Sequence, residues 1–433
     1  MIIMLRKSFI INLCIIAFIV ILLFDKAFLI VIPLTVILIL DLRYIYIFLL
    51  SIPLIESFIS LPGFTISSGI GALYVIIFFF KLIKSNISIN FDRISFKYYL
   101  VATLLVFGAF NAYISSVISS EYLTAAILKE NVLCLFKVLV SIFLYIDISR
   151  SKNDISSFMI NKLPNIIGLF FLLIFIKLQL NPVVVVSWGE KRFGFENVNQ
   201  NDLASLIAVY MPLVFLIVKS KKSWLFFISS FISGVLSVFM TLSRGGIITL
   251  IISILFALYF IKSISRKMTI IVILIISVLI TIFMNSYIDS IQSRFLGSYE
   301  ARGISGLTTM RTDIWKNGIT ETVNKSPIIG FGNTVYTGIS INERSSLGRG
   351  FVMHSIFFEI LVRFGLLGLI VFGITFISPI IYFVKNKNLL FNKQVFFLLH
   401  MLILIAGLGL SWLYLEVLWI NLAFCYGIVK RSS

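Results

Sequence analysis

Apolar residues run through this chain in long blocks, separated by short polar clusters. A helix needs about 20 mostly apolar residues to cross a bilayer. Blocks of suitable length lie near 8–24, 27–42, 44–61, 67–84, 98–119, 124–147, 158–179, 202–219, 224–243, 246–262, 268–286, 353–384, 395–411 and 413–429. The pattern predicts an all-α fold, a polytopic transmembrane helical bundle of about 12–14 spans. The blocks 27–42, 395–411 and 413–429 are short, which leaves the count open between those limits. The one long polar stretch, 287–352, is expected to be a partly helical loop. Within it, Thr312 to Val323 reads as a short amphipathic helix capped by Thr312, with Trp315, Ile319 and Val323 on one face. Pro327, Gly330 and Gly332 end it.

The short polar clusters are basic, and this sets an orientation. Arg6/Lys7, Lys81/Lys84/Arg93/Lys97, Arg150/Lys152, Lys219/Lys221/Lys222, Lys262/Arg266/Lys267, Lys385/Lys387/Lys393 and Lys430/Arg431 all fall on one side when fourteen spans are drawn. The positive-inside rule makes that side cytoplasmic. Both termini are then inside. Three segments are outside: 180–201, the break at Ser243-Arg244-Gly245-Gly246, and the loop 287–352. The loop carries Arg294, Arg302, Arg311, Lys316, Lys325, Arg344 and Arg349, but the rule counts short loops only. Residues 1–433 are expected to form a single integral membrane domain, with 287–352 as a large periplasmic loop within it. Arg6 and Lys7 precede the first block without a small-residue cleavage site after it, which predicts an uncleaved first span.

Composition agrees with this. Of the 433 residues, 60% are hydrophobic and only 12% charged, about half the charged share of a soluble domain. The net charge of +18 does not indicate nucleic acid, because the basic residues sit between apolar blocks as topology signals. Cys14, Cys134 and Cys425 lie inside apolar blocks, with neither zinc nor disulfide spacing, and read as small buried hydrophobes.

Four residues with chemical capacity are predicted at the outer membrane level. Arg192 precedes Asn199-Gln200-Asn201, Arg244 sits at a helix break, Arg311 opens the loop helix, and His354 begins the next span. Arginine holds phosphate oxygens bidentately and keeps its charge, so several converging on one cavity suit a pyrophosphate headgroup. An interfacial histidine can accept a proton near neutral pH. Taken singly, a basic residue near a helix end more often snorkels, and a lone histidine is more often just hydrogen-bonded. Arg244 stands out, because a charge at such depth tends to face a bundle interior or a water-filled cavity. Glu359 and Arg363, at i and i+4, are expected to pair with each other and face the bundle.

In chain order, Arg192-Phe193-Gly194 with Asn199 to Ala204, Thr241 to Gly246, Arg311 to Trp315 leading to Ser326 to Gly332, and His354 followed by Phe364 to Leu369 form an ordered set. That set resembles the family of O-antigen ligases and O-antigen polymerases, over roughly the second half of the chain. Ser355 and Arg363 depart from the family's usual asparagine and acidic residue. The resemblance implies a metal-independent glycosyltransferase of the bacterial inner membrane that works at the periplasmic face without a cofactor. Its expected substrate is an undecaprenyl-pyrophosphate-linked oligosaccharide. Membrane lipids, and a chain-length regulator as a further candidate, are its expected partners, and nucleic acid is not among them. Polymerases join repeat units, while ligases move the finished chain to the lipid A core in lipopolysaccharide biosynthesis. The Phe, Ile, Asn and Lys bias suggests AT-rich coding DNA and inclines the reading to O-antigen polymerase. His354, Arg244 and Arg311 are the expected catalytic residues; Arg192, Arg244, Arg311 and Asn199 are expected to hold the pyrophosphate and glycan. A flippase or other transporter is the rival of another class. Transporters often show paired repeats, and this sequence shows none.

Overall fold

The computed structural model describes residues 31–58, 66–85, 93–118, 125–151, 155–180, 182–187, 190–195, 198–218, 223–261, 311–331, 353–386, 391–410 and 416–432, with residue 412 and some positions within 9–21 and 269–281. The expected blocks 8–24 and 268–286 fall largely outside the described residues. So do the clusters Arg6/Lys7 and Lys219/Lys221/Lys222 and the loop residues Arg294, Arg302, Arg344 and Arg349.

Each other apolar block is a helix. In chain order these are α1 (Val31–Leu40), α2 (Tyr44–Glu56), α3 (Ile66–Ser85), α4 (Arg93–Ile118), α5 (Ala125–Arg150), α6 (Ile155–Leu180), α7 (Gln200–Val214), α8 (Trp224–Met240) and α9 (Arg244–Phe260). The loop helix α10 (Arg311–Lys325) follows, then α11 (Ile356–Lys385), α12 (Phe391–Gly407) and α13 (Glu416–Ser432). Four helical stretches among the described residues are long and apolar enough to cross a membrane: Val132–Arg150, Ile155–Leu180, Gln200–Ile217 and Ile356–Lys385. Shorter apolar helices accompany them, and the chain is a helical integral membrane protein. Among the described residues, one hairpin interrupts the helices. Strands β1 (Val183–Ser187) and β2 (Glu190–Gly194) pair antiparallel, with Val185 opposite Arg192.

The chain divides into two compact units. The first holds Met1–Ile76, Ser151–Tyr287 and Phe391–Leu402; the second holds Ile77–Arg150, Ile288–Leu390 and Ile403–Ser433. In the first, α9 packs along α7 and α8 along α6. Small residues allow these approaches, as membrane interfaces require. A Cβ on Gly234 would lie 2.6 Å from Phe171 Cδ2, and one on Gly246 would fall on Ala204. Helix α7 is the most enclosed of the spanning helices, with 89% of its apolar window buried.

In the second unit, α13 packs along α5, while α11 touches α4, α10 and α13. Phe372 and Phe376 stand edge-on to Trp419. Charges here are paired: Lys137 with Glu416 at 2.6 Å, Lys81 with Asp147 at 2.8 Å, and Glu359 with Arg363 at 2.6 Å. The last is the expected i, i+4 pair, and both of its residues are buried.

Two local expectations change. The loop helix already includes Arg311, so Thr312 sits within it rather than capping it. Its buried face carries Gly318 and Thr322, with Ile314 and Trp315 half-buried, whereas Val323 is exposed. The physical reason is Gly318: without a side chain it admits Met353, whose Cε would be 2.6 Å from an added Cβ. That close approach turns the Gly318 side inward, with Trp315 of the expected face packed beside it and Val323 left outside.

Candidate functional site

In the first unit, three segments meet around one turn. Helix α8 ends at Met240, and Thr241 turns the chain: its Oγ1 donates to Val238 O at 2.7 Å and accepts from Ser243 N at 3.2 Å. Leu242 takes a left-handed conformation, φ +50°. Ser243 caps α9, its Oγ accepting from Gly246 N at 3.2 Å. Arg244 is then the first residue of α9 and is half-buried.

The hairpin delivers Arg192 to the same turn. Its Nε donates to Thr241 O at 2.9 Å and its Nη2 to Asn201 Oδ1 at 2.9 Å. Arg192 is buried. Asn199 caps α7, its Oδ1 accepting from Asn201 N at 2.8 Å, and is itself exposed. So Arg192, Asn199 and Arg244 gather at the opening turns of α7 and α9, which lie against each other where Gly246 meets Ala204. A helix start carries about half a positive charge on its open N–H groups. Arg192 and Arg244 lie beside two such starts, with Asp202 in the first turn of α7 as the carboxylate of the same corner. Sequence reasoning missed Lys177 nearby. Its Nζ donates to Phe58 O at 3.1 Å and lies 5.5 and 5.4 Å from the Phe58 and Phe195 ring centres.

In the second unit Arg311 lies in α10, and its Nη1 donates to Gly409 O at 2.6 Å. Trp315 Nε1 donates to Met353 O at 2.5 Å, and its ring packs on Phe358. That holds the chain just ahead of His354, whose backbone is left-handed, φ +48°. Leu242 and His354 are the non-glycine residues with positive φ among the described residues, and each lies two residues before a helix start. Such conformations are uncommon and worth a functional question. Ser355 occupies the N-cap of α11 in an extended conformation, without a side-chain cap bond.

His354 is half-buried. Burial first, and the Arg311 guanidinium second, push its imidazole down from 6.5 to about 4. At neutral pH it is therefore uncharged, as a proton acceptor must be. The structure thus places Arg192, Asn199 and Arg244 together in the first unit, and Arg311 and His354 together in the second. Among the described residues, no group of three or more His, Cys, Asp or Glu side chains gathers. Asn201 and the Gly409 carbonyl, which hold the two arginines, were not singled out in the sequence. Asn201 had a signal, its place in Asn199-Gln200-Asn201; a backbone carbonyl has none.

Two weak motifs prove to be one joint. Helix α11 breaks at Gly365, φ +62° and ψ −158°. The loop after α10 fills the break: Leu366 N donates to Pro327 O at 2.9 Å, Leu367 N to Ile328 O at 3.1 Å, and Phe331 N to Val362 O at 2.9 Å. Gly330, φ +66°, faces Gly365, and a Cβ on Gly330 would lie 2.5 Å from Arg363 C.

Comparison with known proteins adds two similarities. Residues 228–373 match the model of a family described as O-antigen ligase. The match takes in Arg244, Arg311, His354 and the Gly365 joint, and bears out the resemblance drawn from the motifs. A second similarity is to an uncharacterised protein of Haemophilus influenzae (strain ATCC 51907 / DSM 11121 / KW20 / Rd), 28% identical over 196 residues, which are 42% of this chain and 49% of that protein. The chain thus spans about half the length of the curated relative it matches.

Proposed function

From the O-antigen ligase family match over residues 228–373, we propose that this protein is a glycosyltransferase that joins undecaprenyl-pyrophosphate-linked oligosaccharide repeat units in lipopolysaccharide biosynthesis: an O-antigen polymerase. The reading takes the chain as one membrane domain of the bacterial inner membrane, termini cytoplasmic and the loop 287–352 periplasmic. The observation that carries it is the position of Arg244 and Arg311 within the matched segment, Arg244 as the first residue of α9 and Arg311 in α10 beside His354. A guanidinium at each place is suited to an anion.

The chemistry follows from what these groups can do. The acceptor hydroxyl gives its proton to His354, and its oxygen bonds to the donor's anomeric carbon. The bond from that carbon to the pyrophosphate oxygen breaks, and the electron pair leaves on the pyrophosphate. The leaving group is activated already, so positioning and charge stabilisation are the main demands. A guanidinium can stabilise the departing charge without a metal, the role proposed for Arg244 and for Arg311 each, while Arg192 and Asn199 shape the corner through Thr241 and Asn201. The acceptor, the donor's sugar and a chain-length regulator as partner all belong to this proposal.

The family's printed description favours a second reading, in which the same groups transfer the glycan to the lipid A core. Deletion separates the two. Loss of a polymerase leaves core bearing one repeat unit; loss of a ligase leaves bare core and lipid-linked polymer. Bare core would replace the first reading with the second. Reporter fusions test the orientation: periplasmic activity at residue 325 and none at 221 is expected, and the reverse would remove the mechanism.

A further inference from the structure

The joint at Gly365 decides where the outer helix lies. Beyond the break, α11 continues from Leu366 to Lys385, 20 residues. That stretch is about 30 Å long, the thickness of a bilayer's hydrocarbon core. The break therefore sits at one boundary of the hydrocarbon, and the turns Ile356 to Phe364 stand beyond it. Leu366, Ile370, Ile374, Ile377 and Ile381 form an exposed apolar stripe down this half, Ile370 being 51% exposed. In a spanning helix such a stripe faces lipid.

Breaking a helix at this depth frees N–H groups, and lipid offers them no partner. Here Leu366 N and Leu367 N find the carbonyls of Pro327 and Ile328. The segment that supplies them is thereby fixed at the same depth. It carries Ile328, 66% exposed, and Ile329, 38% exposed. Two large exposed aliphatic side chains sit at the top of a lipid-facing stripe, on backbone that repairs a helix break. Lys325, one turn back, is exposed and paired with Glu321 at 2.7 Å.

We propose that Ile328 and Ile329 are a membrane anchor, inserted among the acyl chains at the outer boundary of the bilayer, which makes α10 an interfacial helix. The occupant of this surface is lipid, because the patch continues the lipid-facing stripe of α11 through the hydrogen-bonded joint. An anchor here fixes Arg311 and His354 at headgroup depth, where the phosphates of any lipid-linked substrate lie. The placement itself does not depend on the glycan-transfer reading, so each can fail without the other.

The test is depth measurement in vesicles of phosphatidylethanolamine and phosphatidylglycerol. Nitroxide labels go on I328C, I329C, K325C and I370C, each in the full chain carrying C14A; Cys134 and Cys425 are fully buried. Collision with lipid-soluble oxygen and with a water-soluble nickel chelate is read for each label. Ile328 and Ile329 labels should collide with oxygen like the Ile370 label and be shielded from nickel, while the Lys325 label meets nickel. Nickel contact at both isoleucine positions, equal to that at 325, would show water there and overturn the anchor. Shielding from both probes would show a protein partner on the patch and overturn it equally. The I329C label guards against a local disturbance at 328, and the circular dichroism of each labelled variant, compared with the unlabelled chain, reports an intact fold.

Discussion

The turn ahead of α9 and the turn ahead of α11 look alike but are held differently. Each places a left-handed non-glycine residue two positions before a helix, and each belongs to a unit that holds a candidate arginine. The first is built from its own sequence. Thr241 Oγ1 and Ser243 Oγ supply the turn and the cap within four residues, and Arg192 adds a strap. The second has no side-chain cap from Ser355 and depends on a separate helix, through Trp315 to Met353 O and through Gly318 against Met353. The first arginine is thus held locally; the histidine is held by tertiary packing.

The largest effect should come from the second turn. His354→Ala removes the proton acceptor, and transfer from a lipid-linked donor in vitro should fall by about 10²–10⁴-fold. Unchanged turnover at equal expression would take His354 out of the chemistry. The pH dependence has a definite sign. The folded imidazole titrates at about 4, against 6.5 ordinarily. Below 6.5 the unfolded chain binds the proton first, so His354 makes the fold less stable as pH falls from 6.5 towards 4. In kcat/KM, the acidic limb due to His354 should begin only near pH 4 and vanish in His354→Asn.

The arginines come next. Arg244→Lys and Arg311→Lys should each cost about 10²–10³-fold in turnover, since a point charge cannot copy the planar fork. Arg192→Lys should cost less turnover and more thermal stability, because its guanidinium bridges Thr241 O and Asn201. Long glycan ladders unchanged in all three Lys variants would remove the anion site.

Glycine replacements sharpen the contrast in stability. Gly365→Ala forces a side chain into a left-handed conformation and onto Ile328, and should cost more than about 2 kcal/mol by thermal unfolding in detergent. Gly246→Ala meets Ala204 and should cost about 1–3 kcal/mol. Gly245→Ala and Gly373→Ala meet nothing within 4 Å and should be nearly neutral. If Gly245 and Gly246 proved equally sensitive, close packing of α7 on α9 would not be why the second glycine is there.

The smallest effect should be at the cap. Ser243→Ala should cost about 1 kcal/mol, the usual value of an N-cap. His400, fully buried in α12, serves as the control for His354: His400→Ala should leave turnover nearly unchanged.

The sequence by itself determined the helices, the membrane and the candidate groups. Apolar length and basic clusters are local quantities, and a bilayer imposes the same requirement on every span, so blocks such as 158–179 and 224–243 could be read directly as α6 and α8. The Glu359–Arg363 pair is also local, four residues in reach. Only the tertiary structure decided the rest. The inward turn of the Gly318 side of α10 follows from Met353, 35 residues beyond Gly318. The hairpin that carries Arg192 to Thr241 O pairs through backbone groups, which every residue possesses and no composition reveals. Gly330 and Gly365 each read as an ordinary helix stop or a small residue until the fold sets them against each other. Their meaning is a contact between two backbones, and a contact of that kind exists only once the chain has folded.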